Sequence, residues 1–163
     1  MCLPVEQLHS RAESLAAKFK QGAGRSYIEE AIKLDRKALQ LCPPGHPKRS
    51  GSLTYLACQL HGRYEQFGAT SDFEEAIILN REALDLRPPG HPNRSTSLNN
   101  LAVDLSIRYK QLGRMEDLDE AIVLAREALD LHPQEHPDRS NSFEQPCSCS
   151  LHSVRPVRGN GRP

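Results

Sequence analysis

The chain has 163 residues, with 21 lysines and arginines against 21 aspartates and glutamates, so its formal net charge is zero. Aromatic residues make up 5% and Trp is absent, which argues against a nucleic-acid surface, because that needs a basic excess and stacking platforms. No apolar run approaches the ~18–20 residues that span a bilayer, and the segment from Met1 to Glu6 lacks the basic start and apolar stretch of a secretory signal. Five cysteines without a pattern fit a reduced cytoplasmic interior better than a disulfide framework.

A copied unit organises the chain. His46-Pro47, His91-Pro92 and His136-Pro137 follow one another at steps of 45 residues, as do Ala31-Ile32, Ala76-Ile77 and Ala121-Ile122. The same step relates Ala38-Leu39, Ala83-Leu84 and Ala128-Leu129, and also Phe19, Tyr64 and Tyr109. A register kept over so many positions marks a repeated supersecondary unit.

In chain order the periodicity predicts helices over residues 5–20, 26–41, 51–67, 72–87, 96–112 and 117–132. The first helix of each unit carries one apolar stripe, as in Leu98, Leu101, Ala102, Leu105 and Tyr109 or Leu53, Leu56, Ala57, Leu60 and Tyr64. Ser50 and Ser95 precede these stripes as expected N-caps, and Gly68 and Gly113 follow where a left-handed C-cap belongs. Ser26 with Glu29, and Ser71 with Glu74, have the spacing of capping boxes. In the third unit Glu116 stands in place of the serine, and Asp117 or Asp119 favours the positive helix end. Phe73, Ala76, Ile77, Ala83, Leu84 and Leu86 form the expected buried face of the fourth helix. Pro43-Pro44, Pro88-Pro89 and Pro133 stop the second helices.

One such hairpin has too little apolar surface to offset its chain entropy. The units must stack, with small residues such as Ala57, Ala76 and Ala83 allowing close approach and one continuous core running through the array. The expected fold is an all-α solenoid of three helical hairpins with a curved face lined by the first helices.

On these residues the chain resembles the tetratricopeptide-repeat family. Ala76, Ala83 and Pro88 match its small–small–proline spacing, and Leu53, Leu56, Ala57 and Leu60 its first-helix core. The run from His91 to Ala102 is especially similar to the repeats of kinesin light chain, and the 45-residue step to the long repeats of fungal multidomain proteins that carry a CHAT (caspase-like) or NTPase domain. The resemblance implies a right-handed solenoid over residues 1–143, in units of about 1–45, 46–90 and 91–135 with an aborted fourth at 136–143. It also implies a non-enzymatic scaffold for a peptide segment or partner helix. The alternative it implies is the detached sensor array of a larger CHAT-type protease or NTPase.

The binding candidates are first-helix residues that point away from the hairpin partner: Thr54, Tyr55 and Cys58 with Gly51 and Gly62 in the second unit, and Thr96, Asn99, Asn100, Val103 and Ile107 in the third. The resemblance gives Asn99 and Asn100 the role of hydrogen-bonding a ligand backbone. His9-Ser10 and Thr54-Tyr55 replace that pair in the other units, and no lysine or arginine occupies the stripe in the second or third unit, so the family's carboxylate clamp is not supported. His46, His91 and His136 occupy equivalent places in successive hairpins, too far apart for one ion, and are read as structural turn residues. Arg49, Arg94 and Arg139 are read as surface hydrogen-bonders or partners for neighbouring carboxylates, and Glu29-Glu30, Glu74-Glu75 and Asp119-Glu120 as residues serving the helix dipole. Nothing orients Cys58 and His61 as nucleophile and base, and no cofactor or metal is implied.

From Ser140 to Phe143 a fourth unit begins in register, but Pro146-Cys147 stands where the helix should continue. Residues 144–163 are rich in Ser, Pro, Gly and Arg, which predicts a disordered tail, read as the product of a frameshift or retained intron. Cys147, Cys149 and His152 provide three zinc ligands where a structural site needs four. Without a covering helix, Leu118, Ile122 and Leu129 are expected to form an apolar edge open to self-association.

Overall fold

A computed structural model describes residues 4–131. His136, Arg139, the aborted fourth unit, the tail and its Cys147, Cys149 and His152 all lie outside the described residues. Six helices follow one another: α1 Val5–Lys20, α2 Ser26–Gln40, α3 Arg49–Phe67, α4 Thr70–Asp85, α5 Arg94–Leu112 and α6 Met115–Asp130. They form three antiparallel hairpins, α1–α2, α3–α4 and α5–α6, each packed on the next. The copying is visible in the coordinates. Helices α3 and α5 have 19 residues each, α4 and α6 have 16 each, and their starts lie 45 residues apart.

Helix ends come from backbone chemistry the sequence signals located only in part. Gly68 and Gly113 terminate α3 and α5 in the left-handed region, with φ of 70° and 68°. Their N–H groups donate to the carbonyls of Tyr64 and Tyr109 at 2.7 Å, as the glycine signal predicts.

The expected serine caps are not formed. Helices α3 and α5 start at Arg49 and Arg94, so Ser50 and Ser95 sit inside the first turn and the N-cap positions fall to Lys48 and Asn93, without a side-chain cap bond. The repeated histidines do that work instead. His46 Nδ1 accepts the backbone N–H of Lys48 at 3.2 Å, and His91 Nδ1 accepts that of Asn93 at 3.1 Å. The capping boxes fail likewise: α2 starts at Ser26 itself and α4 at Thr70, with Arg25 and Ala69 as uncapped N-cap residues. Glu29 turns to Arg25 Nε at 2.8 Å. Because α4 ends at Asp85, Leu86 turns out to solvent rather than completing the buried face.

Packing also departs from one continuous core. Ala12, Ala16, Ile28, Ala31, Ile32, Leu53, Leu56, Ala57 and Leu60 join Ala76, Leu79 and Ala83 of α4 in a first cluster. Phe73 and Ile77 of the same helix join Leu98, Leu101, Leu105, Ala121, Leu124 and Ala128 in a second. Helix α4 therefore presents a different apolar stripe to each side. Small residues take the close contacts, with Ala57, Ala76 and Ala83 all buried.

Ion pairs repeat with the same step. Arg49 Nε donates to Glu82 and Nη1 to the carbonyl of Cys42, while Arg94 makes the equivalent bonds to Glu127 and the carbonyl of Arg87. Arg36 pairs with Glu75, and Arg81 with Glu120 through two bonds of 2.6 Å. Glu75 and Glu120 therefore tie successive second helices together, a role the dipole reading did not include. Arg63 grips Asp72, and Arg108 grips Asp117, each through two bonds within its hairpin, and Arg108 also reaches Glu74. No helix among the described residues is long and apolar enough to cross a membrane.

Candidate functional site

Helices α1, α3 and α5 lie side by side as the first members of their hairpins, and α1 touches α3 directly. The candidates fare differently along this face. Thr54 is buried, its hydroxyl donating to the carbonyl of Ser50 at 2.9 Å, so it offers nothing to a ligand. Tyr55 is half-buried and stacks on His9 with ring centroids 4.5 Å apart. Cys58 is half-buried on α3. Cys42 is a free, fully buried thiol. Thr96, Asn99, Asn100 and Val103 are half-buried along α5, whereas Ile107 packs against the second apolar cluster. Among the candidates, only Thr54 is buried; Tyr55, Cys58, Thr96, Asn99, Asn100, Val103 and Ile107 keep partly exposed surface.

Polar groups that no motif marks occupy the joints between helices. His9, at the register position of the asparagine pair, is buried and spends both ring nitrogens inside the fold, Nδ1 on Asp35 at 2.7 Å and Nε2 on Ser52 Oγ at 2.9 Å. Burial pushes the Asp35 carboxyl up, and the neighbouring His9 and Gln59 oppose that shift.

At the next joint Asp104 takes His61 Nδ1 at 2.9 Å and Asn80 Nδ2 at 2.7 Å. Burial works against a charged His61, but hydrogen bonds and proximity to Asp104 and Glu65 outweigh it and lift the imidazole to about 9. Acid and amide have changed places between joints: Asp35 faces Gln59 in one, Asn80 faces Asp104 in the other.

A third polar group has no counterpart. Arg87 stands where the preceding unit has Cys42, and it is 4% exposed. Its Nη1 donates to Ser97 Oγ at 2.6 Å and Asn93 O at 3.4 Å, and Nη2 to Ser50 O at 3.2 Å. All these acceptors are neutral, and Nε is buried without a partner among the described residues. A cleft of about 360 Å³ runs past it, lined from α1 by Glu6, His9, Ser10 and Glu13, and from the start of α3 by Lys48, Gly51 and Tyr55. Among the described residues no cluster of three His, Cys, Asp or Glu is placed to hold a metal ion.

Copied antiparallel hairpins, stacked with their first helices side by side and with the polar machinery spent on joints, define an α-helical repeat protein whose open surface is suited to contact. A family model for the tetratricopeptide repeat matches residues 94–138, starting on the first residue of α5 and covering α6. With α3–α4 repeating the same lengths, caps and ion pairs 45 residues earlier, the match supports a tetratricopeptide-repeat assignment. Such repeats generally mediate protein–protein contacts and are generally non-catalytic. No curated protein matches the chain.

Proposed function

We propose that the chain is a non-enzymatic interaction scaffold that holds an extended peptide or a partner helix along the face formed by α1, α3 and α5. The observation that carries this reading is the contrast along that face. The joints bury His9, Asp35, His61 and Asp104 in internal bonds, while Tyr55, Asn99 and Val103 keep surface on one side. An aromatic ring held by stacking on His9 is a low-entropy anchor, and a half-buried amide nearby suits a peptide backbone.

Partner capture by the full chain tests the reading. Tyr55→Ala and Asn99→Ala should each weaken a captured protein at least about fivefold, near 1 kcal/mol, without changing helicity. Unchanged affinity in both variants contradicts the proposed face.

The second reading, a sensor array detached from a larger protease or NTPase, draws support from α6. Ile77 of α4 is 2% exposed beneath the following hairpin, and its counterpart Ile122 is 42% exposed. Leu129 is open as well. This edge is suited to a further repeat, a partner helix or a second copy of the chain.

A further inference from the structure

Helix α6 carries an interface stripe that α4 uses and that α6 leaves open among the described residues. In α4, Phe73, Ile77 and Leu84 pack on the following hairpin. Two charged residues beside them tie the joint, Glu74 accepting from Arg108 and Arg81 donating to Glu120. Their counterparts 45 residues on are Leu118, Ile122 and Leu129, with Asp119 and Arg126 alongside. Of these, Ile122, Leu129, Asp119 and Arg126 are exposed and Leu118 is half-buried.

The stripe is complementary to itself. Met115, Leu118, Ile122, Ala125 and Leu129 follow one another at alternating steps of three and four, the heptad spacing of helices that pair knobs-into-holes. Asp119 and Arg126 lie seven residues apart on one flank of it, with opposite charge. Two such helices laid antiparallel about a two-fold axis at the level of Val123 bring Asp119 of each copy to Arg126 of the other. The same register sets Leu118 against Leu129 and Ile122 against Ala125, so larger side chains meet smaller ones. A parallel pair would set Arg126 beside Ala121 and lose that match. Nor does the copied register of this chain supply a cover: it reads Pro146-Cys147 where α5 has Leu101-Ala102, and proline breaks a helix interior.

We propose that α6 is a homodimerisation helix, pairing antiparallel with α6 of a second copy of this chain through Leu118, Ile122 and Leu129, with Asp119 and Arg126 fixing direction and register. Its 16 residues span only about 24 Å. A single helix pair of that length buries less than a permanent interface does, so the dimer belongs to the weak class, with Kd on the order of 10–100 µM. The pairing lies apart from the face of α1, α3 and α5, and failure of either leaves the other standing. On the scaffold reading, the dimer presents two peptide-holding faces in one particle, which favours a partner with two matching segments.

Sedimentation velocity of the full chain under reducing conditions and low salt, from about 5 to 500 µM, tests the pairing across the range where a weak interface forms. The wild type should pass from monomer to dimer and no further, because a two-fold contact closes on itself. Asp119→Arg and Arg126→Asp should each weaken the dimer at least about fivefold, since each sets two pairs of like charges face to face. Mixing the two variants should restore a dimer of near wild-type strength, as every reversed charge then meets its opposite. The double variant should dimerise alone. Circular dichroism should stay unchanged throughout, and Tyr55→Ala should dimerise like the wild type.

A wild type that is monomeric at the top of that range overturns the proposal, whether later residues of the chain or nothing at all covers α6. Open-ended association, dimers indifferent to both single reversals, or a mixture that fails to recover overturns it equally. Should a single reversal lower helicity, the wild-type series and the double variant still decide.

Discussion

His61 carries a large charge effect inside the fold. Its imidazole is buried between Asp104 and Glu65 and held near 9, well above the value of about 6.5 it has in an unfolded chain. A group whose proton affinity rises on folding stabilises fully below its unfolded value and loses that contribution as pH climbs through the folded one. Stability should therefore decline between pH of about 6.5 and 9, with a ceiling of roughly 3.4 kcal/mol. Thermal melts of the wild type and His61→Gln across that window measure it. The wild-type midpoint should fall with pH and that of the variant stay flatter; parallel curves contradict the charged-histidine account. These residues were hard to read in the sequence because each is a departure hidden in a copied pattern. Apolar positions repeat and announce themselves, whereas Arg87 in place of Cys42, or Asp104 in place of Gln59, shows only when one unit is laid on the next. That comparison is the signal that finds them, since a polar group at a buried register position must be bonded or costly. Thr54 misleads for the opposite reason: the stripe it belongs to is open elsewhere, but Thr54 itself is buried with its hydroxyl on the carbonyl of Ser50.

Elements were more legible than their ends. The apolar stripe of three- and four-residue steps places all six helices, and glycine at a position needing positive φ, with φ of 70° at Gly68, marks the stop of α3. Starts were harder, because two acceptors competed for the first free N–H groups. Ser50 suits the role chemically, but the His-Pro turn brings His46 Nδ1 to the chain first, and the helix begins before the serine is reached. Among the described residues no hairpin follows α6. Leu124 is covered by its own hairpin as Leu79 is, at 8% exposure each, while Ile122 and Leu129 stand open. Replacing Ile122 by Lys should therefore cost little stability, under about 1 kcal/mol for an exposed position, and should reduce both binding of a hydrophobic dye and any concentration-dependent association seen in sedimentation. An Ile122→Lys protein that sediments and binds dye like the wild type contradicts an adhesive edge on α6.

At the scale of the molecule, the number of hairpins and the 45-residue step follow from the sequence, and the division of the interior does not. Stacking was expected to give one core. Helix α4 instead serves two clusters with different stripes, with Asn80 of the same helix spent on the polar joint to Asp104 and His61. A polar layer of this kind is invisible to hydrophobic periodicity, which records only that a position is not apolar. Arrays in which each unit touches only its neighbours have stabilities set by interfaces, so α3 and α4, covered on both sides, should outlast α6, covered on one side among the described residues.

Residue-resolved native-state hydrogen exchange on the full chain tests this architecture most directly. The account predicts protected amides in six blocks matching α1 to α6, with breaks around residues 41–48 and 86–93 recurring at the step of the repeat. It also predicts the highest opening free energies in α3 and α4, and lower ones in α6. Protection that ignores the 45-residue step, or an α6 that is the slowest helix to open, would contradict it.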